Sequence, residues 1–212
     1  MPDNFNLVME LQDGDLGGLA RTQEFDEPQQ LFDNADTVGR PVLLQMLEAL
    51  DYLAFKDIIH RDVKPHNILY RRIDGAYHCR LADFGIATVS PHGRRHCGTE
   101  PFIAPEVEDR GSDLPHTTCI DVWGLAASIC WTFDLERKTG EGLYIDVGHH
   151  AICPRWTDIL REMLDQDPLE RPSAGKVLTL MFNEEGRITD ERWILFGHIG
   201  VLHLHFVADI LL

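Results

Sequence analysis

His60-Arg61-Asp62-Val63-Lys64-Pro65-His66-Asn67 is the stretch that decides how this chain is read. It sets a carboxylate (Asp62), an ammonium (Lys64) and an amide (Asn67) on one short segment. Downstream follow Asp83-Phe84-Gly85 and then a third block, Cys97-Gly98-Thr99 through Ala104-Pro105-Glu106. Three ordered blocks at these distances are not a product of chance. Upstream, Leu43, Leu44, Leu47, Leu50, Leu53 and Ala54 recur at three- and four-residue steps after Pro41, which predicts a helix with one buried face that delivers the chain to His60. Tyr77 to Leu81 alternates as a short strand, placing Asp83 at its end. Helical patterning returns from Cys119 to Phe133, from Trp156 to Leu164 and from Ala174 to Phe182. At the front, the apolar run Asn6 to Leu11 ends at Asp13-Gly14-Asp15, as a strand leaving into a turn does. The polar stretch from Asp15 to Gly39 suits a short helix and a loop. No internal repeat or low-complexity segment interrupts the pattern, so the chain reads as one mostly helical unit with small strands.

Composition narrows the function classes. The 212 residues include 44% hydrophobic side chains, enough to fill one core. The formal charge of -16 argues against a nucleic-acid surface, because that affinity rests on Lys and Arg neutralising phosphates. The five cysteines (Cys79, Cys97, Cys119, Cys130, Cys153) show no C-x-x-C spacing and suit neither a disulfide framework nor a zinc site. Reduced thiols and an N-terminus without a basic region or long apolar run lead to the expectation of a cytoplasmic or nuclear protein.

The three blocks resemble the catalytic loop, the metal-binding loop and the end of the activation segment of eukaryotic protein kinases. The resemblance implies an α+β, predominantly helical fold, the kinase-like large lobe. It implies Asp62 as the base that accepts the substrate hydroxyl proton, and Asn67 and Asp83 as magnesium ligands. Hard oxygen donors on two loops are what bridging magnesium between phosphates requires. Lys64 resembles the lysine that contacts the transferring phosphate in the serine/threonine class, and Thr99 the threonine that bonds base and lysine. Glu106 is expected to pair with Arg171 in a buried ion pair, and Asp121 of Asp121-Val122-Trp123-Gly124-Leu125 to anchor the backbone of the catalytic loop. His60 and Phe84 fall on the family's stacked core column. Arg61 is expected to receive a phosphate on Thr88 or Ser90, or Arg94 and Arg95 to hold the loop without one. His66 stands where many basic-directed kinases carry an acidic residue.

Val8-Met9-Glu10-Leu11-Gln12 resembles the hinge. It implies Met9 as gatekeeper, the backbone of Glu10 and Gln12 facing adenine, Asp15 reaching the ribose and Leu69 closing the pocket from below. ATP and Mg2+ are the implied cofactors and a protein hydroxyl the acceptor. Upstream of the hinge there is no glycine-rich loop, strand lysine or helix glutamate. The expectation is therefore a partial kinase domain over residues 1–190 with the small N-terminal lobe absent, weakly active alone. Its bare apolar face would invite a protein partner. The alternative is a catalytically impaired kinase-like lobe acting as a protein-binding or regulatory module. Residues 191–212 form an apolar tail of unassigned role. A membrane span is not expected there, because Asp209 would cost roughly 2.5–3.5 kcal/mol near a helix centre.

Overall fold

Asp15 begins the ordered architecture twice over: its backbone pairs in β1 (Gly14–Asp15) while its carboxylate accepts the Gly18 N–H at 2.9 Å and caps α1 (Leu16–Leu19). The computed structural model describes residues 9–22, 35–89, 96–108, 116–133, 137–139, 142–144, 154–183 and 187. A π-helical turn, Ala35–Gly39, leads into α2 (Arg40–Phe55), whose buried residues Val42, Leu43, Met46, Leu47, Leu50 and Leu53 follow the period read from the sequence. Pro41 sits in the first turn of α2, where its missing N–H removes no helical bond.

From α2 the chain enters β2 (Ile58–Ile59), a 3-10 turn at Pro65–Asn67, and the hairpin of β3 (Ile68–Ile73) and β4 (Ala76–Leu81). Asp74 and Gly75 join the two strands with φ of 51° and 83°, the two-residue turn whose twist matches antiparallel strands. β1 adds to the other side of β3, with Asp15 opposite Leu69, giving the order β1-β3-β4. The outer edge of β4 is occupied by a side chain. Gln45 of α2 donates to the Tyr77 carbonyl at 2.9 Å and accepts the Cys79 N–H at 2.7 Å, imitating a further strand.

β5 (Thr88–Val89) pairs with β2, and a short helix α3 (Pro105–Glu108) precedes α4 (Cys119–Thr132). Almost every residue of α4 is buried, the mark of a central helix surrounded by others. The hydroxyls of Ser128 and Thr132 avoid stranding in that core by donating back to the carbonyls of Gly124 at 2.6 Å and Ser128 at 2.7 Å. β6 (Arg137–Thr139) and β7 (Gly142–Tyr144) form a small separate ribbon. The helices α5 (Pro154–Met163) and α6 (Ala174–Phe182) complete the fold, α6 capped by Ser173 and packed on α2 through Val177 and Leu178.

The mixed fold with helices predominating agrees with the sequence reading. Several elements differ. Residues 9–11 of the expected front strand form no strand, and the pairing falls instead on Gly14–Asp15; residues 6–8 lie outside the described residues. The strands β2, β3, β5, β6 and β7 were not anticipated. The apolar tail, Cys153, Ser90, Arg94 and Arg95 also lie outside the described residues. Among the described residues no helix is long and apolar enough to cross a membrane, and Cys79, Cys97, Cys119 and Cys130 form no disulfide.

Arg171 ties α3 to the segment before α6. Its guanidinium donates to both carboxylate oxygens of Glu106, at 2.7 and 3.0 Å, and to the carbonyls of Cys119 and Asp165. It also lies 5.1 Å from the ring centre of Trp123. The two side chains are 0% and 5% exposed, so removing one leaves a buried charge without its partner. Arg171→Leu is expected to cost about 3–5 kcal/mol of stability. A urea unfolding curve checks it, and a loss below about 1 kcal/mol, the range of exposed pairs, contradicts it.

Candidate active site

Asp121, at the start of α4, is 2% exposed and spends its carboxylate on the backbone: Oδ2 accepts the His60 N–H and Oδ1 the Arg61 N–H, each at 2.8 Å. Arg61 is thereby held at φ 69°, a left-handed conformation rare for a long side chain. Its Nε donates to the Ile86 carbonyl at 2.6 Å and so steadies the segment after Asp83. Burial pushes the Asp121 carboxyl up to about 7, against the pull of the two N–H donors and of Arg61.

The loop so anchored presents Asp62 to a ring of donors. Lys64 Nζ lies 2.7 Å from Asp62 Oδ2 and donates to Thr99 Oγ1 at 2.8 Å, and the Thr99 hydroxyl donates to Asp62 Oδ1 at 2.7 Å. Asn67 Nδ2 donates to the Asp62 carbonyl at 2.9 Å and to its Oδ2 at 3.1 Å. Asp62, Lys64 and Thr99 thus form a closed triangle although Thr99 is remote in sequence.

The second loop is fixed by the hairpin. Ile68 pairs with Leu81, and one step further the Ala82 N–H donates to the Asn67 carbonyl at 2.9 Å, so Asn67 and Asp83 emerge side by side at the open end of the ladder. Asn67 has committed its amide nitrogen to Asp62; its side-chain oxygen accepts no hydrogen bond among the described residues. Asp83 is exposed, with φ 62°, and its carboxylate accepts only the Gly85 N–H at 3.2 Å among the described residues, with no cation beside it. One amide oxygen and one exposed carboxylate, neither neutralised, suit a hard divalent cation that shares phosphate oxygens and water, as magnesium does. No cluster of three His, Cys, Asp or Glu side chains forms a metal cage among the described residues.

Comparison with known proteins gives this geometry a family. The protein kinase domain matches residues 1–140. The chain is a member of the eukaryotic protein kinase family. It is 30% identical over 175 residues to a serine/threonine-protein kinase H1 homolog of Danio rerio, covering 70% of this chain and 41% of that protein. It is 30% identical over 162 residues to an Aurora kinase of Schizosaccharomyces pombe, covering 68% and 42%. The ovarian-specific serine/threonine-protein kinase Lok of Drosophila melanogaster matches at 30% over 161 residues, 68% and 34%. The chain therefore spans less than half the length of these relatives.

In this kinase chain the expected hinge residues are placed less tightly than the loops. Met9 is 50% and Leu11 88% exposed, and Val8 lies outside the described residues. The Glu10 carboxylate turns to the hairpin and binds Arg71 and Arg80, whose charges hold it below the usual carboxylate range, Arg80 foremost. Gln12 donates to the Glu10 carbonyl at 3.2 Å. Asp15 and Leu69, expected at the ribose and beneath the adenine, are cross-strand partners in β1–β3, and the Asp15 carboxylate caps α1. The sequence reading missed Gln45, which sets β4 and hence Asp83. No motif marks such a residue, since a glutamine on a helix reads as surface.

His60 is 0% exposed, its ring edge-on to Phe84 at 4.7 Å. Nε2 faces the Ala82 carbonyl at 3.0 Å and Nδ1 accepts the Asp62 N–H at 3.3 Å, a pattern only the neutral ring satisfies. Burial accordingly holds its pKa down to about 4 from 6.5, while the Ala82 carbonyl and the charges of Asp62 and Asp83 pull upward. The unfolded chain therefore takes up a proton near pH 6.5 that the folded chain refuses until about 4, so this stability is lost as pH falls through that window. Asp121 acts with the opposite sign, its contribution lost as pH rises through about 7. His60→Phe is expected to flatten the fall of the unfolding midpoint between pH 6.5 and 4, and Asp121→Asn to steepen it. Thermal melts across that range check both, and parallel pH profiles for all three proteins contradict the assignment.

Proposed function

We propose that this chain carries the catalytic loops of a serine/threonine protein kinase, which moves the ATP γ-phosphoryl group to a protein hydroxyl. The observation that carries the reading is the closed triangle of Asp62, Lys64 and Thr99. A carboxylate has about four acceptor positions, and here Lys64, Asn67 and Thr99 take three. One remains for the substrate hydroxyl, and Asp62 would accept its proton as the new oxygen–phosphorus bond forms and the bond from the γ-phosphorus to the bridging oxygen breaks, ADP leaving. Lys64 has three donors and spends two, on Asp62 and Thr99. Its third is left for a phosphate oxygen, where its charge opposes the charge spread over the transferring group. Asn67 and Asp83 would hold magnesium. When bound, magnesium and ATP supply the phosphoryl group with its charge partly neutralised. Met9, Glu10, Gln12, Asp15 and Leu69 would line the adenosine side. The Lys64–Thr99 pairing and the names of the relatives support the serine/threonine class.

Asp62→Asn keeps the size of the side chain but turns one acceptor oxygen into an N–H donor and loses the proton acceptor, and is expected to lower phosphoryl transfer by about 10²- to 10⁴-fold. Transfer of labelled phosphate from ATP to a generic protein substrate by the full-length protein checks this, and undiminished turnover in the variant overturns the assignment of Asp62.

A further inference from the structure

Arg71 and Arg80 take no part in the catalytic loops, yet both are tied to the front of the chain. Arg71 stands two residues after Leu69 on β3, and Arg80 of β4 is the cross-strand partner of Leu69, so the three share one face of the ladder. Directly opposite Arg71 is His78. Cations gathered on one face in this way repel one another. The carboxylate of Glu10 answers both arginines, with Oε1 on Arg71 Nη1 and Oε2 on Arg80 Nη1, the latter at 2.6 Å. Three residues further on, the Asp13 N–H donates to the Tyr70 carbonyl at 2.9 Å, and the Asp13 carboxylate accepts the Arg72 N–H at 2.7 Å. Met9 and Leu11 are exposed, so this stretch gains its course from polar contacts to the hairpin rather than from apolar burial.

Resting on the kinase reading above, we propose that Arg71 and Arg80 are positioning residues for the nucleotide, clasping Glu10 so that the segment facing adenine stays pinned to the strand that carries Leu69. The arginines act through Glu10 and do not touch ATP. Exposed ion pairs add little to global stability, but a carboxylate shared by two cations resists displacement more than a single pair does. Without Glu10 the two guanidinium groups and His78 would face one another uncompensated, and the hairpin and the front segment would part. A displacement of about an ångström in a positioning group is enough to weaken a bound geometry severely. The clasp therefore bears on nucleotide affinity, and leaves the Asp62, Lys64 and Thr99 triangle as it is.

The test is steady-state kinetics of the full-length protein with magnesium ATP and a generic protein substrate. The double variant Arg71→Ala with Arg80→Ala is expected to raise the KM for ATP by roughly three- to thirtyfold, with kcat at saturating ATP and the KM for the protein substrate unchanged. Each arginine gives one nitrogen to one oxygen, so Arg71→Lys with Arg80→Lys is expected to recover most of the affinity. Glu10→Gln, which keeps the backbone, is expected to reproduce the rise and to add nothing to the alanine variant, as partners in one interaction do. High salt is expected to narrow the gap between wild type and variants, because exposed charges are screened. An unchanged KM for ATP, a rise the lysines do not recover, or effects of Glu10→Gln and the alanine variant that simply add, overturns the clasp and leaves the kinase reading standing. Failure of the wild type to phosphorylate any protein overturns both.

Discussion

One buried carboxylate organises the catalytic end of this molecule. Asp121 accepts the N–H groups of His60 and Arg61, two successive residues, and so fixes both the position and the direction of the backbone that leads to Asp62. Left-handed backbone at a residue such as Arg61 costs of order 1–3 kcal/mol and persists only where the surroundings over-determine it. Here they do, with two N–H bonds on Asp121 and the guanidinium on the Ile86 carbonyl. The approach of α4 is equally constrained. A Cβ on Gly124 would stand 2.8 Å from the Val63 carbonyl, so glycine at that turn lets the anchoring helix come close enough for Asp121 to reach.

From that anchor two further constraints follow. The Lys64–Thr99 bond recruits the later segment to Asp62, and the Glu106–Arg171 pair fastens the end of the same segment to the body of the fold. The β3–β4 ladder, steadied on its outer edge by Gln45, brings Asp83 beside Asn67. Asp62 and the oxygen pair of Asn67 and Asp83 are thus held by separate supports that meet at Asn67, which bonds Asp62 through its side chain and Ala82 through its backbone. Positioning of this kind is most of what a protein contributes to phosphoryl transfer.

Much of this arrangement was legible in the sequence because its parts are local or carry strong patterns. The period of α2, the three motif blocks, the anchor at Asp121 and the pairing of Glu106 with Arg171 all read correctly. β3 escaped notice although Asp74-Gly75 is a strong hairpin signal, because the arginines Arg71 and Arg72 mask the alternation of a strand with one solvated face. The front pairing moved to Gly14–Asp15 because register is chosen by the partner strand, which the apolar run alone does not reveal. Gln45 and the contact of His66 with Trp131 depend on elements far apart in the chain, and nothing local announces them.

The central claim is that Asn67 and Asp83 form, beside Asp62, a magnesium-dependent nucleotide site. Calorimetric titration of the full-length protein with ATP, with and without magnesium, tests it most directly when wild type and Asp83→Asn are compared. The account predicts that magnesium strengthens binding to the wild type and that this gain disappears in the variant. Nucleotide binding that is absent, or indifferent to magnesium and to Asp83, would contradict it.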